Sequence, residues 1–379
     1  MAMRIERAAV PAVVVLALGL AGCGSPTADE DASGSGDAEG SVESLDGVYA
    51  ELEGLDGQER LDRLQELAAE EDAEVTWYTT TPLEDSEPMV DAFAEEYGID
   101  VELFRASSSD LLQRLLQEAD AGRSDADLVT NNGEELHALD SEGLLAPLET
   151  PLRDDIADKA RFDTWLGIYL NVAAAAWNTD GLDESEYPTT WEEVLTDHPD
   201  SFALEAKAWD WFATLVQEYF VAEKGMTAKE AIDLFLEAAP GAAVVDGNTG
   251  IAELMAAGQY DLVTPTYKNH VSVLADDGAP VAWEPPVEPL ILTVNGTGIH
   301  SGTDAPATSL LFTEYLLTGG QEILADVYRV PANTEYGGLP EEYETITVDV
   351  DRSVRLRPRW EQLYDEIIRE SGSEIIEPD

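Results

Sequence analysis

Cysteine is almost absent from this sequence, and positively charged side chains are scarce. The 379 residues include one cysteine, Cys23, which excludes a disulfide framework and a metal site built from cysteines. Twenty lysines and arginines stand against 79 aspartates and glutamates, for a formal net charge of −59. Nucleic acids need a basic footprint, so we expect no nucleic-acid partner. Because such a charge repels itself unless salt screens it, we predict a salt-adapted protein.

Recognisable catalytic and metal-binding motifs are missing as well. The four histidines are scattered at 137, 198, 270 and 300, without a metal-ligand spacing such as His-Glu-x-x-His. The chain has no Gly-x-Ser-x-Gly elbow and no Walker loop. We therefore expect no enzymatic activity, no metal and no cofactor. The catalytic alternative is an anchored hydrolase with an unrecognised pair of carboxylates.

The first residues have the pattern of an export signal. Arginines at 4 and 7 precede the apolar run Ala8–Leu20, which is shorter than the about 20 residues that a membrane-spanning helix needs. The sequence Leu-Ala-Gly-Cys at 20–23 is similar to a bacterial lipobox. That similarity implies a signal peptide over 1–22 and lipid attachment to Cys23. The alternative is an ordinary secretory signal with a chance cysteine.

Two different segments separate this signal from the main body of the chain. Residues 23–47 are rich in Gly, Ser, Asp and Glu, a composition that predicts a disordered acidic tether. Leucines recur among charges over 48–72, which favours an amphipathic helical lead-in. The remainder, about 330 residues, exceeds what one core usually supports, so we expect two domains.

Strand, polar loop and helix alternate from residue 74 onward, the order that is typical of a mostly parallel α/β sheet. Ligands of such sheets bind outside the carboxyl ends of the strands, where loops and helix N-termini converge. Six loops of this kind carry hydroxyls, amides, a lysine or an aromatic ring. The candidate ligand-binding residues in them are Thr79, Thr80, Thr81, Ser107, Ser108, Ser109, Asn131, Asn132, Lys207, Trp209, Asn248, Thr249 and Tyr267.

Each of these residue types also has a purely structural interpretation. The hydroxyls could bind an anionic group or only cap helices, a contribution of about 1 kcal/mol each. Lys207 could hold a carboxylate or phosphate, or lie in solvent. Trp209 and Tyr267 could stack on a planar or cationic ligand, or belong to a core. Glu205 and Asp210 could pair with an amine, although most of the many acids should lie on the surface.

Several motifs follow one another in an order that resembles a known family. They are Trp-Tyr-Thr-Thr-Thr at 77–81, Leu-Leu-Gln-Arg-Leu-Leu-Gln-Glu at 111–118, Ala-Asp-Leu-Val at 126–129, Gly-Leu-Leu-Ala-Pro-Leu at 143–148, Pro-Thr-Thr-Trp at 188–191 and Tyr-Leu-Leu-Thr-Gly-Gly-Gln-Glu-Ile-Leu at 315–324. Together with the lipobox, they resemble an extracellular solute-binding lipoprotein of an ABC importer, in the class of ferric, polyamine, thiamine and phosphonate receptors. The resemblance spans about 73–333.

The resemblance implies a two-lobed, periplasmic-binding-protein-like α/β fold. Each lobe is expected to be a mixed sheet flanked by helices, and crossover strands near 169–174 and 284–290 would form the hinge. Lobe 1 would comprise 73–168 plus 289–333, and lobe 2 would comprise 172–286. The tail, 334–379, is expected to be helical and to pack on lobe 2.

The function that this resemblance implies is capture of a small polar, anion-bearing solute and its delivery to a membrane ABC permease. The protein would be a lipid-anchored monomer on the outer face of the cell membrane. A ferric-iron receptor is one alternative, in which the family's histidine falls near Pro82, its glutamate near Asn131 and its tyrosine pair around Tyr267. We expect a phosphonate or phosphorylated solute before iron, because most of these ligands are missing here. A ligand-sensing lipoprotein is the other alternative.

Overall fold

The computed structural model describes residues 44–197 and 200–370, together with the backbone of 375–376. The predicted signal peptide, the lipid-attachment residue Cys23 and nearly all of the predicted tether lie outside the described residues. So does His198. Among the described residues, no helix combines the length and the apolar character needed to cross a membrane.

Helices flank a central sheet along the described chain. The α-helices are α1 (Leu45–Leu52), α2 (Gly57–Glu71), α3 (Leu83–Tyr97), α4 (Ser108–Asp120), α5 (Gly133–Ser141), α6 (Trp191–Thr196), α7 (Trp209–Thr214), α8 (Ala228–Ala238), α9 (Asn248–Ala256), α10 (Lys268–Asp276), α11 (Pro306–Leu316), α12 (Gly319–Asp326) and α13 (Val350–Arg369). A π-helical segment, Leu215–Glu223, continues α7.

The strands pair into one mixed sheet. They are β1 (Val75–Thr79), β2 (Val101–Arg105), β3 (Leu128–Asn132), β4 (Leu166–Asn178), β5 (Phe202–Glu205), β6 (Ala243–Val245), β7 (Leu262–Tyr267), β8 (Val281–Ala282), β9 (Leu290–Ile299), β10 (Val330–Pro331), β11 (Thr345–Thr347) and β12 (Ile375–Ile376). Their main order is β12-β6-β5-β7-β4-β9-β3-β1-β2. The predicted α/β class with a mixed sheet is confirmed.

Two long antiparallel strands, β4 and β9, join two parallel halves of this sheet. On one side β2, β1 and β3 are parallel, and on the other side β6, β5 and β7 are parallel. One apolar core packs around the first half and two further cores cover the faces of the second half. These halves are the two lobes, and both long strands run through both of them. The residue bounds that we predict for the lobes stay predictions.

Strand β4 runs without interruption over Leu166–Asn178, whereas the resemblance implied a crossover strand near 169–174. Alanines 173 and 175 face one core of lobe 2, and alanines 174 and 176 face the other. Alternate side chains of a strand point to opposite faces, so this small-residue segment is buried on both sides without interruption. The crossover strand is therefore longer than expected.

The two ends of the described chain pack onto this body. Helix α1 begins at Leu45, before the predicted start of the lead-in at 48, because the Ser44 side chain accepts a hydrogen bond from the Gly47 N–H and Leu45 is buried. Helix α13 contacts both lobes. Its Trp360 and Tyr364 lie in a core of lobe 2, whereas Val350 lies in the core of lobe 1.

Candidate ligand-binding cleft

A cleft of about 740 Å³ lies where the loops after β1, β2, β3, β5, β6 and β7 converge. The carboxyl ends of parallel strands lie at one edge of a sheet, so each lobe presents its loops to the other. Of the thirteen predicted residues, all of them described, ten line this cleft: Thr80, Ser107, Ser108, Ser109, Asn132, Lys207, Trp209, Asn248, Thr249 and Tyr267. Their role in binding a ligand stays a prediction.

The other three predicted residues, Thr79, Thr81 and Asn131, are buried inside lobe 1 and do not line the cleft. Thr79 is still part of β1, and its hydroxyl accepts a hydrogen bond from the Thr81 N–H at 3.0 Å. Asn131 lies within β3 and bonds to Ser108. Thr79 and Asn131 are therefore residues of the sheet, and Thr81 is buried just beyond the end of β1.

The serine loop before α4 combines a helix cap with an exposed surface. Ser107 is the N-cap of α4 and accepts a hydrogen bond from the Asp110 N–H at 3.3 Å. This is the structural interpretation that we considered for the hydroxyls. Ser109 and Arg105 are exposed on the same side of the cleft. Arg105 makes no ion pair with another described residue, so its charge is available to a ligand.

The charges that line the cleft are mainly negative. Among the described residues, the acids are Glu134, Glu135, Glu205, Asp210, Asp246, Glu361 and Asp365, and the bases are Arg105, Lys207, Arg329 and Arg357. Lys207 lies 2.8 Å from Asp246, Arg357 lies 3.1 Å from Glu135, and Arg329 pairs with Asp85 below the cleft surface. Most of the positive charge is thus already compensated, and a surplus of carboxylates is left.

Three of these carboxylates are held in water-poor surroundings. Glu205 accepts the Lys207 N–H at 2.7 Å and the Gly247 N–H at 3.0 Å, and burial raises its pKa to about 7. Burial likewise raises the pKa of Asp210, and the negative charge of the neighbouring Glu135 raises it further. Burial, followed by the charge of Asp210, raises the pKa of Glu134. A cation in the cleft would stabilise the charged form of all three.

Aromatic rings and an arginine form the floor of the cleft. Burial raises the pKa of the Tyr267 phenol well above its usual range, and its ring stacks with His270 at 6.1 Å. Burial, and then the charge of Arg329, lower the pKa of His270 to about 4. The guanidinium of Arg329 lies 4.4 Å from the ring centroid of Tyr169. The ring of Trp209 lies beneath Arg357 at 5.4 Å.

Sequence reasoning missed the cleft residues on the crossover strands, at the chain's C-terminal end and on α5. They are Tyr169, Asn171, Thr293, Asn295, Arg329, Glu134, Glu135, Arg357, Glu361, Tyr364 and Asp365. A loop at the end of a strand can be recognised from polar residues that follow an apolar run. A cleft residue in the middle of a long strand has no such pattern around it.

The arrangement offers little to a metal ion. No three histidine, cysteine, aspartate or glutamate side chains of the described residues converge on a common point. Pro82 lines the cleft and Asn131 is buried, so neither of the positions expected for iron ligands carries an acid or an imidazole. Of the three positions, Tyr267 is the one whose side chain could ligate iron, and it lines the cleft.

Residues 88–344 match the family of bacterial extracellular solute-binding proteins, which is more than half of the chain. Among curated proteins no sequence matches.

Solved structures with a similar fold share little sequence with this chain. Iron-bound HitA from Pseudomonas aeruginosa aligns with a TM-score of 0.64 and 17% identity, over 78% of this chain and 99% of that one. AfuA from Actinobacillus pleuropneumoniae, with fructose-6-phosphate bound, aligns with a TM-score of 0.65 and 17% identity, over 78% and 98%. MotA from A. tumefaciens B6, in complex with glucopine, aligns with a TM-score of 0.62 and 17% identity, over 78% and 100%.

Similarity at this level of identity shows the fold and not the ligand. It confirms the predicted two-lobed, periplasmic-binding-protein-like architecture, in which crossover strands connect the lobes. The match over residues 88–344 confirms the family that the sequence motifs resembled. The chain belongs to the family of bacterial extracellular solute-binding proteins, the solute receptors of ABC importers.

Proposed function

We propose that this protein captures a small polar, anion-bearing organic solute in the cleft between its lobes and delivers it to an ABC permease. The observation that carries the proposal is the convergence of six strand-end loops on one cleft of about 740 Å³. A volume of this size suits a small organic molecule. Long strands shared by both lobes allow closure around a ligand as a hinge motion.

The anionic group of the solute is assigned to the loop between β2 and α4. Arg105 is exposed there without an ion pair to any described residue, and the first residues of α4, Ser108 and Ser109, line the same cleft. Helix N-termini favour negative charge, and a guanidinium binds carboxylate or phosphate through two parallel hydrogen bonds. AfuA was solved with a sugar phosphate, which is a ligand of this chemical class.

The receptor would work outside the cell, attached through a lipid on Cys23 and acting as a monomer. The lipobox-like sequence at 20–23 supports the anchor, and the family supports the location. Anchoring beside the permease keeps the loaded receptor at a high local concentration.

A ferric-iron receptor is the second candidate. HitA was solved with iron bound, and Tyr267 reaches the cleft here. The described residues offer no converging set of three acidic, histidine or cysteine side chains. We therefore rank an organic anion above iron, which prefers several hard oxygen ligands.

Ligand-induced stabilisation tests this proposal. Thermal unfolding of the purified chain in molar KCl is followed with phosphate, phosphonates, sugar phosphates, polyamines, thiamine and ferric citrate. A ligand at about 100 times its Kd should stabilise the protein by about 2.7 kcal/mol. Arg105→Gln should weaken binding of an anionic solute by about tenfold, equivalent to about 1.4 kcal/mol.

The matched control is Lys229→Gln, which removes an exposed positive charge on α8, outside the cleft. This variant should bind like the original protein. Stabilisation by ferric citrate alone would favour the iron receptor. Absence of stabilisation by every compound would contradict the proposal and shift the interpretation to a sensor or an enzyme.

A further inference from the structure

A directional chain of hydrogen bonds crosses the lobe 1 wall of the cleft. It starts at Asn131, whose amide orientation is set by the backbone. The Asn131 Nδ2 donates to the Ser108 carbonyl at 3.2 Å, and its Oδ1 accepts from the Asn132 N–H at 2.8 Å. The Ser108 hydroxyl lies 2.5 Å from the same Oδ1, so its proton points to Asn131.

The remaining bonds of the chain follow from this start. Because its proton is used, the Ser108 hydroxyl accepts from the Asn132 Nδ2 at 3.2 Å. The Asn132 Oδ1 therefore faces Asn295, whose Nδ2 donates to it at 3.2 Å and to the Thr80 hydroxyl at 3.1 Å. The Asn295 Oδ1 has no hydrogen-bond partner among the described residues, although the side chain is 2% exposed and lines the cleft.

The lobe 2 wall of the cleft also contains hydrogen-bond acceptors that have no donor in the described structure. The Asn248 Oδ1 of lobe 2 is buried and has no hydrogen-bond partner within the described part of the chain. Asp210 of lobe 2 and Glu134 of lobe 1 line the same cleft, and the charge of Asp210 helps to raise the pKa of Glu134. Neither makes an ion pair with a described residue, since the nearby Arg357 is paired with Glu135. Buried acceptors without donors are costly, so a ligand that supplies donors would stabilise both walls.

We propose that the captured solute also carries a cationic group with N–H donors, an ammonium or a guanidinium. Glu134 and Asp210 bind this group from the two lobes, and the amide oxygens of Asn248 and Asn295 accept further donors of the same solute. The inference rests on the proposed function, because it assigns the second end of a solute whose anionic end lies at Arg105. The solute is therefore a zwitterion, and its cation draws the lobes together by bridging two carboxylates.

The hydrogen bonds of the described residues around Glu134 and Asp210 leave carboxylate oxygens free to bind a cation. Glu134 accepts a hydrogen bond from the Ser353 hydroxyl at 2.9 Å, which leaves its second oxygen without a partner among the described side chains. The nearby Arg357 is already bonded to Glu135 and Glu361. An added ammonium or guanidinium would therefore meet acceptors that no cation of the protein occupies.

Calorimetric titration of the purified full-length chain in molar KCl tests the inference. Molar salt suppresses adventitious binding of cations to the acidic surface. The probes are lysine, arginine and 4-aminobutyrate as zwitterions, putrescine and spermidine as cations, and adipate and glucose 6-phosphate as anions. Choline, which has no N–H donor, is compared with ethanolamine, which has them. At least one zwitterionic probe should bind more tightly than the purely cationic and purely anionic probes, and ethanolamine should bind more tightly than choline.

Charge-neutral variants identify the bridge between the lobes. Asp210→Asn and Glu134→Gln should each weaken binding of the amine-bearing probe by about thirtyfold or more, the effect of removing one partner of a desolvated charge pair. Asp91→Asn, an exposed residue of α3 away from the cleft, is the control for net charge and should bind normally. If one of the two variants does not fold, the other still measures the contribution of a bridging carboxylate.

The outcomes separate the inference from the proposed function. Binding of adipate or glucose 6-phosphate, but of no amine, would overturn the inference and leave the receptor function standing. Amine binding that both cleft variants leave unchanged would also overturn it. Binding of no probe in any class would overturn the proposed function, and the inference with it.

Discussion

Asp85 and Arg329 form a buried ion pair at the wall of the cleft, and breaking it should destabilise the protein strongly. The Asp85 Oδ2 lies 2.6 Å from Nη2 and 2.7 Å from Nε of Arg329, and the two side chains are 9% and 4% exposed. Unit charges about 2.7 Å apart attract each other by about 6 kcal/mol at an effective dielectric constant of about 20. Asp85→Asn leaves the arginine charged and buried, so we expect a loss of about 3–5 kcal/mol of unfolding free energy.

Urea unfolding followed by tryptophan fluorescence measures this loss. The double variant Asp85→Asn with Arg329→Met removes both charges and should recover most of the stability, because no uncompensated charge is left in the interior. Since salt screens buried pairs only weakly, the loss should be similar at low and high KCl concentration. A loss below about 1 kcal/mol, typical of an exposed pair, or a double variant no more stable than the single one, would refute the reasoning.

Three further predictions concern the stability of the fold. The unfolding free energy should rise from low salt to molar KCl, where the Debye length is about 3 Å; equal or lower stability at high salt would contradict salt adaptation. Burial raises the pKa of Glu205 from 4.5 to about 7, so the folded protein keeps a proton that the unfolded chain releases. Glu205 should therefore contribute a fall in stability of about 3 kcal/mol as the pH rises through that interval. Glu205→Gln should make the pH dependence in urea titrations shallower by that amount and leave the share of Glu134 and Asp210, whose pKa values burial also raises. Gly296→Ala would bring a Cβ within 2.5 Å of the Trp165 ring and 2.7 Å of the Leu166 carbonyl, and should lower the urea midpoint by the equivalent of about 1–3 kcal/mol; Gly338→Ala, with open space around it, should not.

Local sequence patterns were sufficient for the elements that lie at the strand ends. Polar residues after an apolar run predict a loop before a helix, and Ser107 does lie in such a loop, between β2 and α4. Parallel strands necessarily place such loops at one edge of a sheet. For that reason the loops at 107–109 and 248–249 were found from the sequence and do line the cleft.

Other cleft residues depend on contacts between distant parts of the chain. Asn295 lies in the middle of β9, and its amide points at Thr80 and Asn132 only because that strand pairs with β3. Arg357 reaches the cleft because α13 packs across both lobes. No periodicity or spacing in the sequence near Asn295 or Arg357 predicts these contacts.

Composition and order of motifs thus determined the fold class, the family and the acidic character of this protein by themselves. All three depend on local chemistry: side-chain periodicity for the strands and helices, short motifs for the family, and charge count for the surface. Tertiary structure alone decided which polar groups are left without partners. Asp210 and Glu134, which are far apart in the chain, line the same cleft only because the two lobes meet there. Burial and proximity are properties of the folded chain and not of its residues one by one.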